Sequence, residues 1–141
     1  IVISPTLDNV CKLPIIEAKD KTAIVPGKIY VAPPDYHLLV EEDRSLSIGL
    51  FEPVCYSRPS VDVLFESAAE VYKHNLLGII LSGANSDGAL GLKAVYQHDG
   101  ICIVQDPNLS EFKRMPESAL KETKVDYILS KEEILNFLLS L

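Results

Sequence analysis

Cysteine is scarce and poorly placed for structural cross-linking. Cys11, Cys55 and Cys102 are odd in number and far apart, which fits neither a disulfide framework nor a zinc-ligand spacing. Reduced thiols in a cytoplasmic protein are the plain expectation. Basic charge is short as well: 13 Lys and Arg stand against 20 Asp and Glu, a formal net charge of −7. An acidic chain repels phosphate backbones, so general nucleic-acid binding is not expected. No apolar run approaches bilayer-spanning length, and Leu76 to Leu81 is far too short, so membrane insertion is not expected either. Internal repeats and low-complexity tracts are missing. No initiator methionine and no basic n-region stand at the start of the chain, so a signal peptide is not expected. The apolar run Ile1, Val2, Ile3 at the very start reads as a strand and suggests a segment upstream.

What remains is an ordinary globular composition. The 141 residues are 48% hydrophobic and 23% charged, enough for one domain with a real core and too apolar for disorder. Pro33, Pro34 and Pro53 read as turns within that domain rather than linkers. Val25 to Leu50 reads as a β-meander. Its strands are Lys28 to Ala32, His37 to Glu41 and Ser45 to Ile48, joined by short polar turns that favour antiparallel pairing.

Ser60 to Tyr72 has helical periodicity, with Val61, Leu64, Phe65, Ala68 and Tyr72 on one face. Ser60 suits its N-cap, and Asp62 suits its positive end. Leu76 to Leu81 is a continuous apolar run, expected to be buried on both faces of a parallel sheet. The loop Ser82 to Gly88 follows, then a helix up to Gly100 and a second buried strand, Ile101 to Val104. Glu117 to Glu122 reads as a short helix started by Pro116, and Tyr127 to Leu129 as a strand. Ser130 and Glu133 form a capping box for a last helix expected to turn Ile134, Leu135, Leu138 and Leu141 inward. The alternation predicts an α/β fold: a doubly wound, mostly parallel sheet flanked by helices, Rossmann-like and three-layered, with an antiparallel β extension.

Function in open α/β sheets collects at the carboxyl ends of the strands, which selects the loop Ser82 to Gly88. Gly83 and Gly88 permit close backbone approach, and Asp87 supplies a carboxylate at the helix start. Three roles compete for Asp87: helix capping, orientation of a catalytic histidine, and metal binding. No cluster of histidines or acids accompanies it in the sequence, so metal ranks last. A phosphate loop is disfavoured, because Ala89 and Leu90 stand where Lys and Ser or Thr are needed. No serine shows the glycine-flanked nucleophile elbow.

His74 and His98 fall in turns at helix ends. His37, at a turn-strand junction, is either a backbone-bonding structural residue or a cleft residue. Arg58 either braces its loop or presents its guanidinium to a carboxylate near the cleft.

Four ordered motifs carry a family resemblance. They are Val25 to Leu38 (VPGKIYVAPPDYHL), Ser57 to Ala68 (SRPSVDVLFESA), Gly78 to Leu92 (GIILSGANSDGALGL), and the pair Gln105-Asp106-Pro107 and Met115-Pro116. Together they resemble CheB-type protein-glutamate methylesterase catalytic domains from about Val25 to the C-terminus. The resemblance implies a serine hydrolase that removes methyl groups from glutamate esters on chemoreceptors or similar signalling proteins. Some relatives also deamidate receptor glutamine. No cofactor or metal is implied.

The family's triad acid falls on Asp87, and the main-chain N–H of Ala84 falls at a position implicated in the oxyanion hole, within the loop Gly83, Ala84, Asn85. The family's serine and histidine belong upstream of, or around, Ile1 to Pro5, so His37 is not the triad histidine. Residues 1–141 are thus expected to be the C-terminal portion of such a domain. The loop reads Gly83-Ala84-Asn85-Ser86-Asp87 where chemotaxis enzymes often carry Gly-Met-Gly-Asn-Asp. A non-catalytic signalling or binding module on the same fold is the alternative.

Overall fold

The computed structural model describes residues 12–55 and 57–141. The expected strand at Ile1 to Ile3, and Cys11, lie outside the described residues. The elements run β1 Ile15–Glu17, β2 Thr22–Ala23, β3 Ile29–Val31, β4 His37–Val40, β5 Ser45–Gly49, α1 Val61–Tyr72, β6 Leu77–Ile80, α2 Ala89–Gln97, β7 Ile101–Gln105, α3 Arg114–Glu122, β8 Tyr127–Leu129 and α4 Lys131–Leu139. The expected α/β class is the one observed: a parallel sheet with helices against it, and an antiparallel sheet beside it.

The parallel sheet has the order β6-β7-β8, with Leu77 opposite Ile101 and Ile103 opposite Tyr127. Its middle strand is the heart of the fold, since Cys102, Ile103 and Val104 are all fully buried. The continuous apolar sequence of β7 follows from that position, with neighbours on both sides and both faces. β6 differs from expectation. Gly78 and Ile80 are buried on one face, while Leu77 and Ile79 are only half-buried and Leu81 is exposed.

The antiparallel sheet has the order β2-β5-β4, and the β4-β5 hairpin pairs His37 with Gly49. The expected three-stranded meander is incomplete, however. β3 pairs in parallel with β1, Ile15 opposite Ile29, and does not join β4. The physical reason lies in Pro33 and Pro34: two fixed φ angles and two missing N–H donors prevent a tight return hairpin. The Tyr30 hydroxyl instead ties β3 to β2, donating to the Ala23 carbonyl and accepting the Val25 N–H.

α3 begins at Arg114, so Pro116 sits within its first turn rather than before it. Its missing N–H costs nothing there, because first-turn donors have no partner in the helix. The capping box of α4 is present, Glu133 N–H donating to Ser130 Oγ and Ser130 N–H to Glu133 Oε1. Of the four residues expected to face inward from α4, only Ile134 is buried; Leu135, Leu138 and Leu141 are exposed. α4 packs on β8 and the flank of β7, so the described sheet covers only one narrow strip of it.

Two cores result. Ile80, Leu92, Val95, Cys102, Val104 and Ala119 fill the parallel side, and Leu38, Val40 and Leu46 fill the antiparallel side. α1 stands between them, contributing Ala69 to the first and Ala68 to the second. Among the described residues no helix is long and apolar enough to cross a membrane.

Candidate active site

β6 ends at Ile80 and delivers the loop to the carboxyl edge of the parallel sheet. Two features fix the loop's path. Gly83 pairs with the segment before α3, its N–H donating to the Phe112 carbonyl and its carbonyl accepting the Met115 N–H, both at 3.0 Å. Asn85 then forms an Asx turn, its Oδ1 accepting the Asp87 N–H at 2.9 Å. The chain enters α2 through Gly88 at φ +98°, where a Cβ would lie 2.5 Å from Ile80 Cδ1. Only glycine meets both demands.

Asp87 is buried, with 3% of its surface exposed, and its carboxylate is well occupied. Oδ1 accepts the Ser60 hydroxyl at 2.8 Å and the Asp62 N–H at 3.0 Å, and Oδ2 accepts the Val61 N–H at 2.7 Å. Asp87 therefore caps α1, a helix that begins 26 residues before it, rather than the helix it immediately precedes. Asp62 does the reverse. Its Oδ1 accepts the N–H groups of Gly88 at 2.9 Å and Gly91 at 2.7 Å, at the start of α2. Each helix start thus carries the acid that caps the other. The positive ends of two helix dipoles converge on the pair, an environment that favours negative charge.

Ser60 occupies the N-cap of α1 as expected, but its side chain makes no cap bond to its own helix and donates to Asp87 instead. Asp62 was legible as a residue for the positive end of α1; it serves α2. Burial pushes its carboxyl above the ordinary range, and the Asp87 charge adds to this, while the Gly91 and Gly88 N–H groups pull the other way.

Cys55 Sγ and one oxygen from each of Asp62 and Asp87 lie within 4.8 Å of one another. Four N–H donors and one hydroxyl already point at the two carboxylates. That donor set is built to hold anions and does not fit a cation.

The loop's outer half is open to reactants. Ala84 is exposed, and the N–H groups of Ala84, Asn85 and Ser86 bond to none of the described residues. Asn85 Nδ2 reaches Ser57 Oγ at 3.5 Å, and Ser86 Oγ lies 3.6 Å from Cys55 Sγ. The segment before α1 therefore lies against the loop.

His37 and Arg58 are placed one step away. His37 is fully buried and stacked on Phe51 with ring centroids 4.4 Å apart. Its Nε2 donates to the Glu52 carbonyl at 2.9 Å. Arg58 Nη1 donates to the Phe51 carbonyl at 3.1 Å, and its peptide bond to Pro59 is cis. Both side chains hold the 51–52 backbone, and neither bonds to the Asp87 carboxylate. A groove of about 1110 Å³ lies under the β4-β5 hairpin, lined by Glu41, Arg44, Ser67 and Glu70. The Asp87 loop does not line it. The hairpin groove is open and of mixed charge, so the carboxyl-edge loop is the better candidate for chemistry.

Ser60 and Asp62 take the N-cap and first-turn places expected of them, and sequence reasoning missed only that they belong to the site. Local pattern could not have found them, because their partners lie 25 to 29 residues away along the chain.

Comparison with known proteins places this architecture. The model for the CheB methylesterase family matches residues 2–138. A relative from Leptospira interrogans is 52% identical over 128 residues, covering 91% of this chain and 66% of its own length. A protein-glutamate methylesterase/protein-glutamine glutaminase from Trichodesmium erythraeum is 35% identical over 130 residues, covering 90% of this chain and 37% of its own. The chain thus spans just under two thirds of the first relative and little more than a third of the second. The crystal structure of the Thermotoga maritima CheB methylesterase catalytic domain superposes with a TM-score of 0.92 at 30% identity, over 99% of this chain and 75% of that one. Fold, motif order and matched length agree: the chain belongs to the CheB methylesterase family.

Proposed function

We propose that residues 1–141 form the C-terminal portion of a catalytic domain that hydrolyses glutamate methyl esters on a methylated chemoreceptor or similar signalling protein. Asp87 is the acid of a Ser-His-Asp triad in this reading, and the Ala84 N–H is an oxyanion donor. Serine and histidine come from the remainder of the domain, in accord with the 75% of the solved catalytic domain that this chain covers.

One observation carries the assignment. Asp87 is a buried carboxylate at the carboxyl end of β6 with both oxygens already bonded, and it still has acceptor capacity left. A carboxylate offers about four lone-pair sites. Three are filled by Ser60, Val61 and Asp62, and one on Oδ2 remains for an imidazole N–H.

The chemistry follows from those parts. The histidine takes the serine proton as the hydroxyl attacks the ester carbonyl. Asp87 holds the imidazole in the correct tautomer and stabilises its charged form. The tetrahedral oxyanion is met by exposed loop N–H groups, which need no particular side chain. Methanol leaves with the proton returned by the histidine, and water releases the glutamate by the same steps. The same acyl chemistry on a glutamine side chain releases ammonia, which makes deamidation a natural second reaction. The free thiols Cys55 and Cys102 suit a cytoplasmic setting.

The test is Asp87→Asn in the intact protein, read as methanol release from a methylated receptor. The substitution keeps Oδ1 as acceptor for the Ser60 hydroxyl and the Asp62 N–H, but it sets an NH2 against the Val61 N–H and presents a donor where the imidazole N–H needs an acceptor. We expect kcat to fall by about 10³- to 10⁴-fold with the fold retained. Full activity would exclude Asp87 from the triad, whereas no methanol release by the unsubstituted protein would leave the non-catalytic module as the better reading of the fold.

A further inference from the structure

The reciprocal caps reach beyond stability. We propose that Ser60 and Asp62 are positioning residues that fix the rotamer and the free lone pair of Asp87, so that α1 sets the aim of the catalytic acid. The proposal rests on the reading of Asp87 as the triad acid.

The geometry supplies the argument. A carboxylate on a loop has a free rotation about its Cα–Cβ and Cβ–Cγ bonds, and a misaimed acid loses the imidazole orientation on which catalysis depends. Here three donors from one helix start pin it. Ser60 Oγ and Asp62 N–H converge on Oδ1, and Val61 N–H takes one side of Oδ2. Rotation of the carboxylate would break all three at once. The donors themselves are held in turn, because Asp62 clamps α1 to α2 through Gly88 and Gly91. Gly88 is the residue next to Asp87, so the same clamp holds the backbone from which Asp87 projects. The aim of Asp87 is therefore fixed from its side-chain end by Ser60 and from its main-chain end by Asp62. Burial of both acids excludes the water that would otherwise compete for these donors.

The pair can be separated by experiment. Ser60→Ala removes one donor to Asp87 and leaves the helix N–H groups in place. Asp62→Ala removes the clamp, and Asp62→Asn keeps an acceptor for the Gly88 and Gly91 N–H groups. Each is measured in the intact protein for methanol release from a methylated receptor, with kcat normalised to folded protein and melting temperature recorded alongside. Ser60→Ala is expected to lower kcat about tenfold with KM unchanged, since the interaction matters to the transition state and not to receptor binding. Asp62→Ala is expected to lower kcat further, and Asp62→Asn to recover most of that loss.

A merely structural role moves the melting temperature and leaves kcat per folded molecule at the wild-type value. That result in Ser60→Ala would overturn the proposal, and that variant keeps every backbone bond even if Asp62→Ala fails to fold. Asp87→Asn, run in parallel, separates the two levels. An inactive Asp87→Asn beside a fully active Ser60→Ala sinks the positioning role alone. A fully active Asp87→Asn sinks the triad reading beneath it.

Discussion

Cys102 shows how far one buried residue departs from its solution chemistry. It is fully buried in the middle of β7, its Sγ directed to the Leu92 carbonyl at 3.5 Å. Burial pushes its thiol from 9.0 up to about 12, and the Asp126 charge adds to the shift. The raised value means that the folded state holds this proton more tightly than the unfolded chain. The resulting stability is complete below pH 9 and is lost as pH climbs toward 12. The thiolate is the reactive form, so native Cys102 should resist alkylation. Iodoacetamide at pH 8, followed by peptide mass mapping, should label Cys55, which is only half-buried, and leave Cys102 untouched until denaturant is added. Rapid native labelling of Cys102 would contradict the closed packing of β7. At this scale the sequence was informative about which residues are unusual and poor at their partners. Asp87 stood out because a strand, a glycine loop and a helix start converge on it. Nothing local says that its donors are Ser60, Val61 and Asp62, because those bonds exist only once two helix starts are brought together.

The contact between α1 and α2 is the element-scale counterpart of those bonds. Gly91 lies against α1: a Cβ there would stand 2.7 Å from Phe65 Cβ and 2.9 Å from the Asp62 Cα. Neither neighbour is the tip of a flexible side chain, so an added methyl has to move a helix. Gly91→Ala should therefore destabilise the protein by about 1–3 kcal/mol, although alanine is the better helix former. The direction is diagnostic, because at an open helical position the same change stabilises. A melting temperature at or above wild type would show that the helices are not in tight contact. The helix period of α1 was readable from its broad apolar stripe, and β7 was readable as a continuous apolar run because consecutive residues of it are buried. Pairing was not readable where a strand is three residues long. β3 carries the right residues for a strand, but its partner was decided by Pro33 and Pro34 and by the availability of β1. The inward face of α4 was misjudged for a related reason. Apolar spacing marks a face that could be buried, and of Ile134, Leu135, Leu138 and Leu141 only Ile134 is.

At the scale of the molecule, α1 does two jobs with adjacent residues. Ala68 packs into the antiparallel core and Ala69 into the parallel one, and Leu76 packs against both. A helix that is a wall of each core cannot leave one without exposing the other. That arrangement predicts one cooperative transition in place of separate melting of the two sheets. Leu92→Ala tests it from the side remote from the hairpin. Leu92 is fully buried in the parallel core and packs beneath Gly78, so its truncation should cost about 2–5 kcal/mol in transfer and cavity terms. Tyr30 and Tyr72 pack against the antiparallel core and the sequence has no tryptophan, so in a background with Tyr96 and Tyr127 of the parallel side replaced by Phe the near-ultraviolet tyrosine signal weighs the antiparallel side, while iodoacetamide protection of Cys102 reports the parallel side. In urea the two probes should move together to the same lower midpoint in Leu92→Ala. A shift confined to Cys102 protection, with the tyrosine transition unmoved, would mean that α1 does not couple the cores. The aim of Asp87 would then depend on the parallel unit alone.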